Sequence, residues 1–204
     1  MDQQERLTSL RSRETHGSRV LVTLLFTDLV GSTERAVALG DRRWQGLLER
    51  HHGAVRALLQ RFEGCEVDSA GDGFLATFAT ASLAVGCGFQ LTRSLACLGL
   101  DARVGVHTGE CDRFGPKYSG VAVHVAARVV RMAGPREVLV TETVKGVVAG
   151  GGLRFTERGS HALKGLPGVW PLYAAVDPES VAWRAHAPRH RSRGVAVGTA
   201  RLDT

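Results

Sequence analysis

The stretch 65-CEVDSAGDGFLATF-78 decides the fold. It divides into two β-type runs, "CEVDSA" and "GFLATF", joined tightly at Gly71 and Asp72. That tight joint is a hairpin signal. Before it lies a helical stretch in which Trp44, Leu47, Leu48, His51, Val55, Leu58, Leu59 and Phe62 share one face, ended by Gly64. Before that, "RVLVTLLFTDLV" (19–30) is apolar and β-branched, a buried strand, and "GST" opens the helical stretch. After the hairpin, residues 80–98 place Ala84, Cys87, Leu91, Leu95 and Leu98 on one helical stripe, and "DARVGVHTGEC" (101–111) reads as a strand. The order β-α-ββ-α-β predicts a ferredoxin-like (βαββαβ) core of the α+β class.

Downstream, "DRFGPKYSG" (112–120) reads as a loop on its Gly and Pro. Residues 121–133 are helical, with Ala122, Val125, Val129 and either Met132 or Ala133 inward. "EVLVT" is a strand and 142–149 a short helix. "LRFTERGSHAL" and "VWPLYAAV" are strands joined by "KGLPG". These add an αβαββ extension. The expected division is a polar N-terminal extension over 1–18, one domain over 19–176, and a basic tail over 177–204.

The 204 residues are 44% apolar, enough for a substantial core. No apolar run is long enough to span a bilayer, and residues 1–18 lack the apolar centre of a secretory signal. A cytoplasmic location is the expectation, with no membrane partner. Cys65, Cys87, Cys97 and Cys111 show no C-x-x-C spacing, which argues against a zinc site or disulfide framework; they read as small buried apolar residues. The net charge of +6 owes part of its excess to "WRAHAPRHRSR" (183–193). Such a run could touch nucleic acid or anionic lipid, but its composition reads as a solvated end. An aromatic content of 6% argues against RNA binding on the central strands.

Chemistry concentrates where the apolar runs end. Asp28 falls at the C-terminal end of the first strand, just before a helix start whose backbone N–H groups at 30–33 suit phosphate oxygens. Asp72 sits at a hairpin tip. If the two strands are neighbours, the carboxylates converge. Such a pair suits Mg²⁺ ions about 3.5–4 Å apart that clamp a phosphoryl group. The plainer reading makes Asp28 a helix cap and Asp72 a turn residue.

"LLFTDLVGST", "AGDGFLATF", "RVGVHTGE" and "GVAVHVAARV", in this order and spacing, resemble the catalytic domain of class III nucleotidyl cyclases, in the branch common among bacteria. The resemblance runs from about residue 20 to 176. It implies the cyclase homology fold and conversion of a nucleoside triphosphate to a 3′,5′-cyclic nucleotide and pyrophosphate, for intracellular signalling. It implies a head-to-tail homodimer with two Mg²⁺ or Mn²⁺ ions per site. Asp28 and Asp72 match the metal aspartates, and the Leu29 carbonyl matches a backbone metal ligand. Arg103 matches a phosphate contact, and Gly31, Ser32 and Thr33 fall at the phosphate-binding helix start. From the opposite subunit come the groups for base, ribose and transition state, so that Asp68 faces the base in the other active site; Arg128 matches the transition-state arginine and Lys164 a lysine on the terminal phosphates. A diguanylate cyclase would need a G-G-D/E-E-F hairpin, which "AGDGF" does not supply.

Three positions depart from the pattern. His124 stands where many members have a ribose-orienting asparagine; it lies one helical turn before Arg128, facing the same way. At the base, adenylyl cyclases commonly carry a lysine where Asp68 stands and an aspartate where Lys117 stands. The exchanged pair could form a salt bridge, the Lys117 segment could be shifted, or the pair could read guanine, with Asp68 accepting from N1–H and N2–H₂ and Lys117 donating to O6. ATP is expected ahead of GTP. The alternatives are a guanylate cyclase and a weakly active, dimerising nucleotide-binding module.

Overall fold

The computed structural model describes residues 18–177; the basic run 183–193 and residues 1–17 lie outside the described residues. The first half of the chain supplies β1 (Ser18–Leu29), α1 (Ser32–Leu39), α2 (Asp41–Arg61), β2 (Cys65–Ala70), β3 (Gly73–Phe78), α3 (Ala81–Cys97) and β4 (Ala102–Phe114). The second supplies β5 (Lys117–Ser119), α4 (Val121–Met132), β6 (Val138–Thr141), α5 (Glu142–Val147), β7 (Arg154–His161) and β8 (Trp170–Val176). The strands form one sheet in the order β2-β3-β1-β4-β6-β8-β7, with β5 paired to β4. β1 is antiparallel to both β3 and β4, and β2 is antiparallel to β3. That is the expected ferredoxin-like core. β6 then adds parallel to β4, and β8 and β7 continue antiparallel.

β1 reads as a nearly unbroken apolar run because both of its faces are covered. Leu25 packs with Phe74, Phe78 and Val104 against Val55 and Leu59 of α2 and Val85 and Leu91 of α3. Leu24, one residue away and on the other face, packs with Leu75 against Ala122 and Ala126 of α4. Contact between α4 and the sheet depends on Gly105. A Cβ there would lie 2.3 Å from the backbone nitrogen of Val130. Only a residue without a side chain lets the helix settle that close.

Three expectations are corrected and one alternative is resolved. The single helical stretch before Gly64 is two helices, α1 and α2, broken at Gly40, whose φ of 74° favours glycine. Its N–H donates to the Ala36 carbonyl (2.9 Å), ending α1, and its carbonyl accepts from the Trp44 N–H (3.0 Å), opening α2. The expected loop 112–120 is a hairpin: Phe114 pairs with Lys117 across Gly115 and Pro116. The Gly and Pro mark its tip, where Gly115 takes a φ of 58°. Cys87 and Cys111 are buried, but Cys65 and Cys97 are exposed, because they fall on the sheet's edge strand and at the end of α3. Of the alternatives for α4, Ala133 is buried and Met132 is exposed.

Candidate active site

A cleft of about 800 Å³ opens on the α4 side of the sheet. Phe26, Asp28 and Leu75 come from the sheet, Tyr118 from β5, and Val123, Ala127 and Val130 from α4. Arg103 also lines it, and so does Asp68, which therefore sits in the cleft of its own chain's Asp28 and not apart from it as the head-to-tail resemblance implies. Asp28 lies in phase with Val22, Leu24 and Phe26, so strand alternation aims it to the α4 side. Arg103 is its cross-strand partner on β4. The Arg103 Nε donates to Asp28 Oδ2 at 2.8 Å, and Nη2 donates to the same oxygen. Nη1 donates to the Arg131 carbonyl (3.5 Å), tying this ion pair to the last turn of α4.

Asp72 occupies the two-residue joint between β2 and β3. Because β3 is the neighbour of β1, the tip falls beside the end of β1. The Leu29 N–H donates to Asp72 Oδ2 at 3.3 Å. The structure thus brings Asp28, Leu29, Asp72 and Arg103 together. Two carboxylates and a neighbouring carbonyl are hard oxygen donors of the kind Mg²⁺ and Mn²⁺ take. No group of three or more His, Cys, Asp or Glu side chains among the described residues could enclose a metal. A set of two carboxylates fits an ion that draws part of its shell from a substrate, as Mg²⁺ usually does.

Asp68 is exposed on β2, and its Oδ1 accepts from the Ser69 N–H (2.9 Å). Lys117 is exposed on β5. The two form no ion pair within the chain, which removes the intrachain salt bridge from the three readings of the exchanged pair. Gly31, Ser32 and Thr33 open α1 but are not among the residues lining the cleft. Of the four amides expected free at 30–33, Val30 is spent: it donates to the Asp101 carbonyl (2.8 Å), because the chain leaves β1 still alongside the loop before β4. His124 and Arg128 lie outside the cleft lining, and so does Lys164. Arg128 and Lys164 nevertheless meet: Arg128 Nε donates to the Lys164 carbonyl at 3.1 Å.

Several cleft residues escaped sequence reasoning. Tyr118 was hidden in a segment read as loop. Arg131, in the last turn of α4, lines the cleft although Arg128 three residues earlier does not. Phe26 and Phe74 fall within runs that the sequence marks only as strands. Two buried histidines lie near the site's supports. His107 donates or accepts through Nδ1 with Thr141 Oγ1 (2.8 Å), and burial lowers its pKa to about 4. His51 is fully buried with no hydrogen-bond partner on either ring nitrogen; burial, then the neighbouring His52, lowers it to about 4 against the pull of Asp72.

A family model described as the adenylate and guanylate cyclase catalytic domain matches residues 15–175. The chain belongs to this family. Among curated relatives of this cyclase domain, an uncharacterized protein of Rhizobium meliloti is 32% identical over 191 residues, covering 83% of this chain and 18% of that protein. A receptor-type adenylate cyclase of Trypanosoma brucei brucei is 28% identical, covering 74% of this chain and 16% of that protein. The cyclase domain described here thus spans less than a fifth of either relative. Among solved structures, the adenylyl cyclase CyaB from P. aeruginosa superposes with a TM-score of 0.73 at 20% identity, covering 78% of this chain and 95% of that one. That likeness carries the fold: the open mixed sheet with helices on both faces is that of the cyclase homology domain. No helix among the described residues is long and apolar enough to cross a membrane.

Proposed function

We propose that this domain cyclises a purine nucleoside triphosphate, ATP ahead of GTP, releasing pyrophosphate, and that it does so as a head-to-tail homodimer. The observation that carries the reading is the hydrogen bond from the Leu29 N–H to Asp72, which sets the second carboxylate beside the first. Asp28, Asp72 and the Leu29 carbonyl would hold Mg²⁺ or Mn²⁺, two per site. When bound, these ions lower the pKa of the ribose 3′-hydroxyl and neutralise triphosphate charge. Arg103, already in the cleft, contacts phosphate oxygens, and the amides of Gly31, Ser32 and Thr33, at the helix start beyond the cleft lining, take the part of the anion that extends past the end of β1.

The 3′-oxygen attacks the α-phosphorus, the bond to the bridging oxygen breaks, and pyrophosphate leaves. Negative charge grows on nonbridging and leaving oxygens, where fixed cations stabilise it better than water does. Arg128 serves the first and Lys164 the second, while His124 orients the ribose. All three lie outside the Asp28 cleft of their own chain. A second copy, turned head to tail, supplies them. Location in the cytoplasm and a role in intracellular signalling follow from this activity.

GTP is a second reading, favoured by one observation. Asp68 presents a carboxylate to the cleft, with Lys117 not paired to it. An acceptor at the base suits guanine N1–H and N2–H₂. The deciding experiment measures cyclic product from ATP and GTP with Mg²⁺ and with Mn²⁺, alongside dimer mass in the same sample. Product from either triphosphate supports cyclisation. A tenfold or greater preference for GTP overturns the ATP assignment, and metal-dependent nucleotide binding with no cyclic product reduces the domain to a binding module.

A further inference from the structure

One turn of α2 grips the hairpin that carries Asp68 and Asp72. Arg56 donates to both carboxylate oxygens of Glu66 on β2, at 2.8 and 2.9 Å. Its guanidinium also lies 5.5 Å from the ring centre of Phe74 on β3. The rings of His51 and His52 meet the Phe74 ring edge-on, at 5.6 and 5.2 Å between centres. These contacts hold the strands. From α2, one hydrogen bond among the described residues reaches the tip: His52 Nε2 lies 2.8 Å from the Gly71 carbonyl oxygen. A carbonyl only accepts, so Nε2 carries the hydrogen.

The Gly71 carbonyl belongs to the peptide unit that joins Gly71 to Asp72. That unit is planar, so fixing its oxygen fixes the orientation of the Asp72 nitrogen as well. The Asp72 Cα–Cβ direction then has one fewer soft dihedral to explore. Gly71 needs such an anchor more than other residues would. Its φ of 61° is the left-handed region, and glycine leaves both its dihedrals loosely restrained. Asp72 is held from its other side by the Leu29 N–H. The tip is thus fixed by one bond to the backbone and one to the carboxylate.

We infer that His52 is a positioning residue for Asp72, acting through the Gly71 carbonyl to aim the carboxylate at the metal site. The inference rests on the metal reading of Asp28 and Asp72. Outer partners of metal ligands typically matter by about 10–100-fold in metal affinity or activity. Glu66 and Arg56 cannot replace this bond, because they restrain the strands and make no hydrogen bond to Gly71 or Asp72.

The test compares wild type, His52→Leu, His52→Gln and Asp72→Asn. Mn²⁺ binding is followed by electron paramagnetic resonance, backbone order at Gly71 and Asp72 by ¹⁵N relaxation without metal, and folding by thermal melting. His52→Leu is expected to weaken Mn²⁺ binding by about tenfold or more and to lower backbone order at the tip, with the melting temperature nearly unchanged. His52→Gln, whose amide can donate to the same carbonyl, is expected to recover most of both. Unchanged binding and unchanged tip order in His52→Leu overturn the proposal. So does a His52→Gln variant as impaired as His52→Leu. If Asp72→Asn leaves Mn²⁺ binding intact, the metal reading fails instead, while the relaxation data still decide whether His52 orders the tip.

Discussion

Asp28 and Asp72 are ordinary carboxylates made unusual by their addresses, one at a strand end and one at a hairpin tip that the β1–β3 pairing brings alongside. Asp72→Ala removes a proposed metal ligand without touching the core. Its expected effect is loss of turnover on the order of a thousandfold, with the melting temperature nearly unchanged. Cyclase assays beside thermal melts check it; retained activity would remove Asp72 from the metal site. The buried histidines make a separate prediction. His51 and His107 are held neutral in the fold with pKa values of about 4, against about 6.5 in an unfolded chain. Between those values the unfolded chain binds more protons, so stability is full above pH 6.5 and falls as pH drops toward 4. The loss is on the order of a few kcal/mol. His51 makes no hydrogen bond that a substitution would forfeit. His51→Leu is therefore expected to flatten the acid limb of a denaturation series between pH 7 and pH 4.5; an unchanged slope counts against this assignment.

Among the elements, α4 carries the most. It walls the cleft through Val123, Ala127 and Val130, and it presents His124 and Arg128 away from it. Its seat on β4 is Gly105. Gly105→Ala would force helix and strand apart and is expected to cost about 1–3 kcal/mol, measured as a lower denaturant midpoint. Activity should fall with it, since Arg103, hydrogen-bonded to the end of α4, would move too. These dependences explain what the sequence made legible. Hydrophobic period and tight turns exposed β1, the β2–β3 hairpin and the ferredoxin-like order, because those signals are local. The break at Gly40 was hidden because the apolar stripe that marks the helical stretch begins only at Trp44 and carries no signal for what precedes it. The β4–β5 hairpin was hidden because a three-residue strand has almost no period to read. In the site, Asp28 and Asp72 could be picked out by residue type and position. Tyr118, Arg131 and His52 could not, because what brings them to the cleft or the hairpin tip is packing between elements far apart in sequence.

For the whole molecule the decisive question is whether two copies share the work, as the proposed function requires. Each chain offers a cleft with Asp28, Asp68 and Arg103, while its His124, Arg128 and Lys164 lie elsewhere on the surface. Exposed apolar side chains, Phe114 at the β4–β5 tip and Val121 at the start of α4, would be covered in an assembly. If the sites are composite, each needs an intact cleft from one copy and an intact Arg128 from the other. Asp72→Ala and Arg128→Ala homodimers should then both be inactive. In a mixed dimer, one site inherits both defects and the other inherits neither. Equal mixing with free exchange places about half the chains in mixed dimers, each with one working site of two, so about a quarter of wild-type activity should return. A site built within one chain gives no recovery, since every chain would keep its own defect. Mixing the two purified variants and following cyclic product over the time of subunit exchange separates these outcomes.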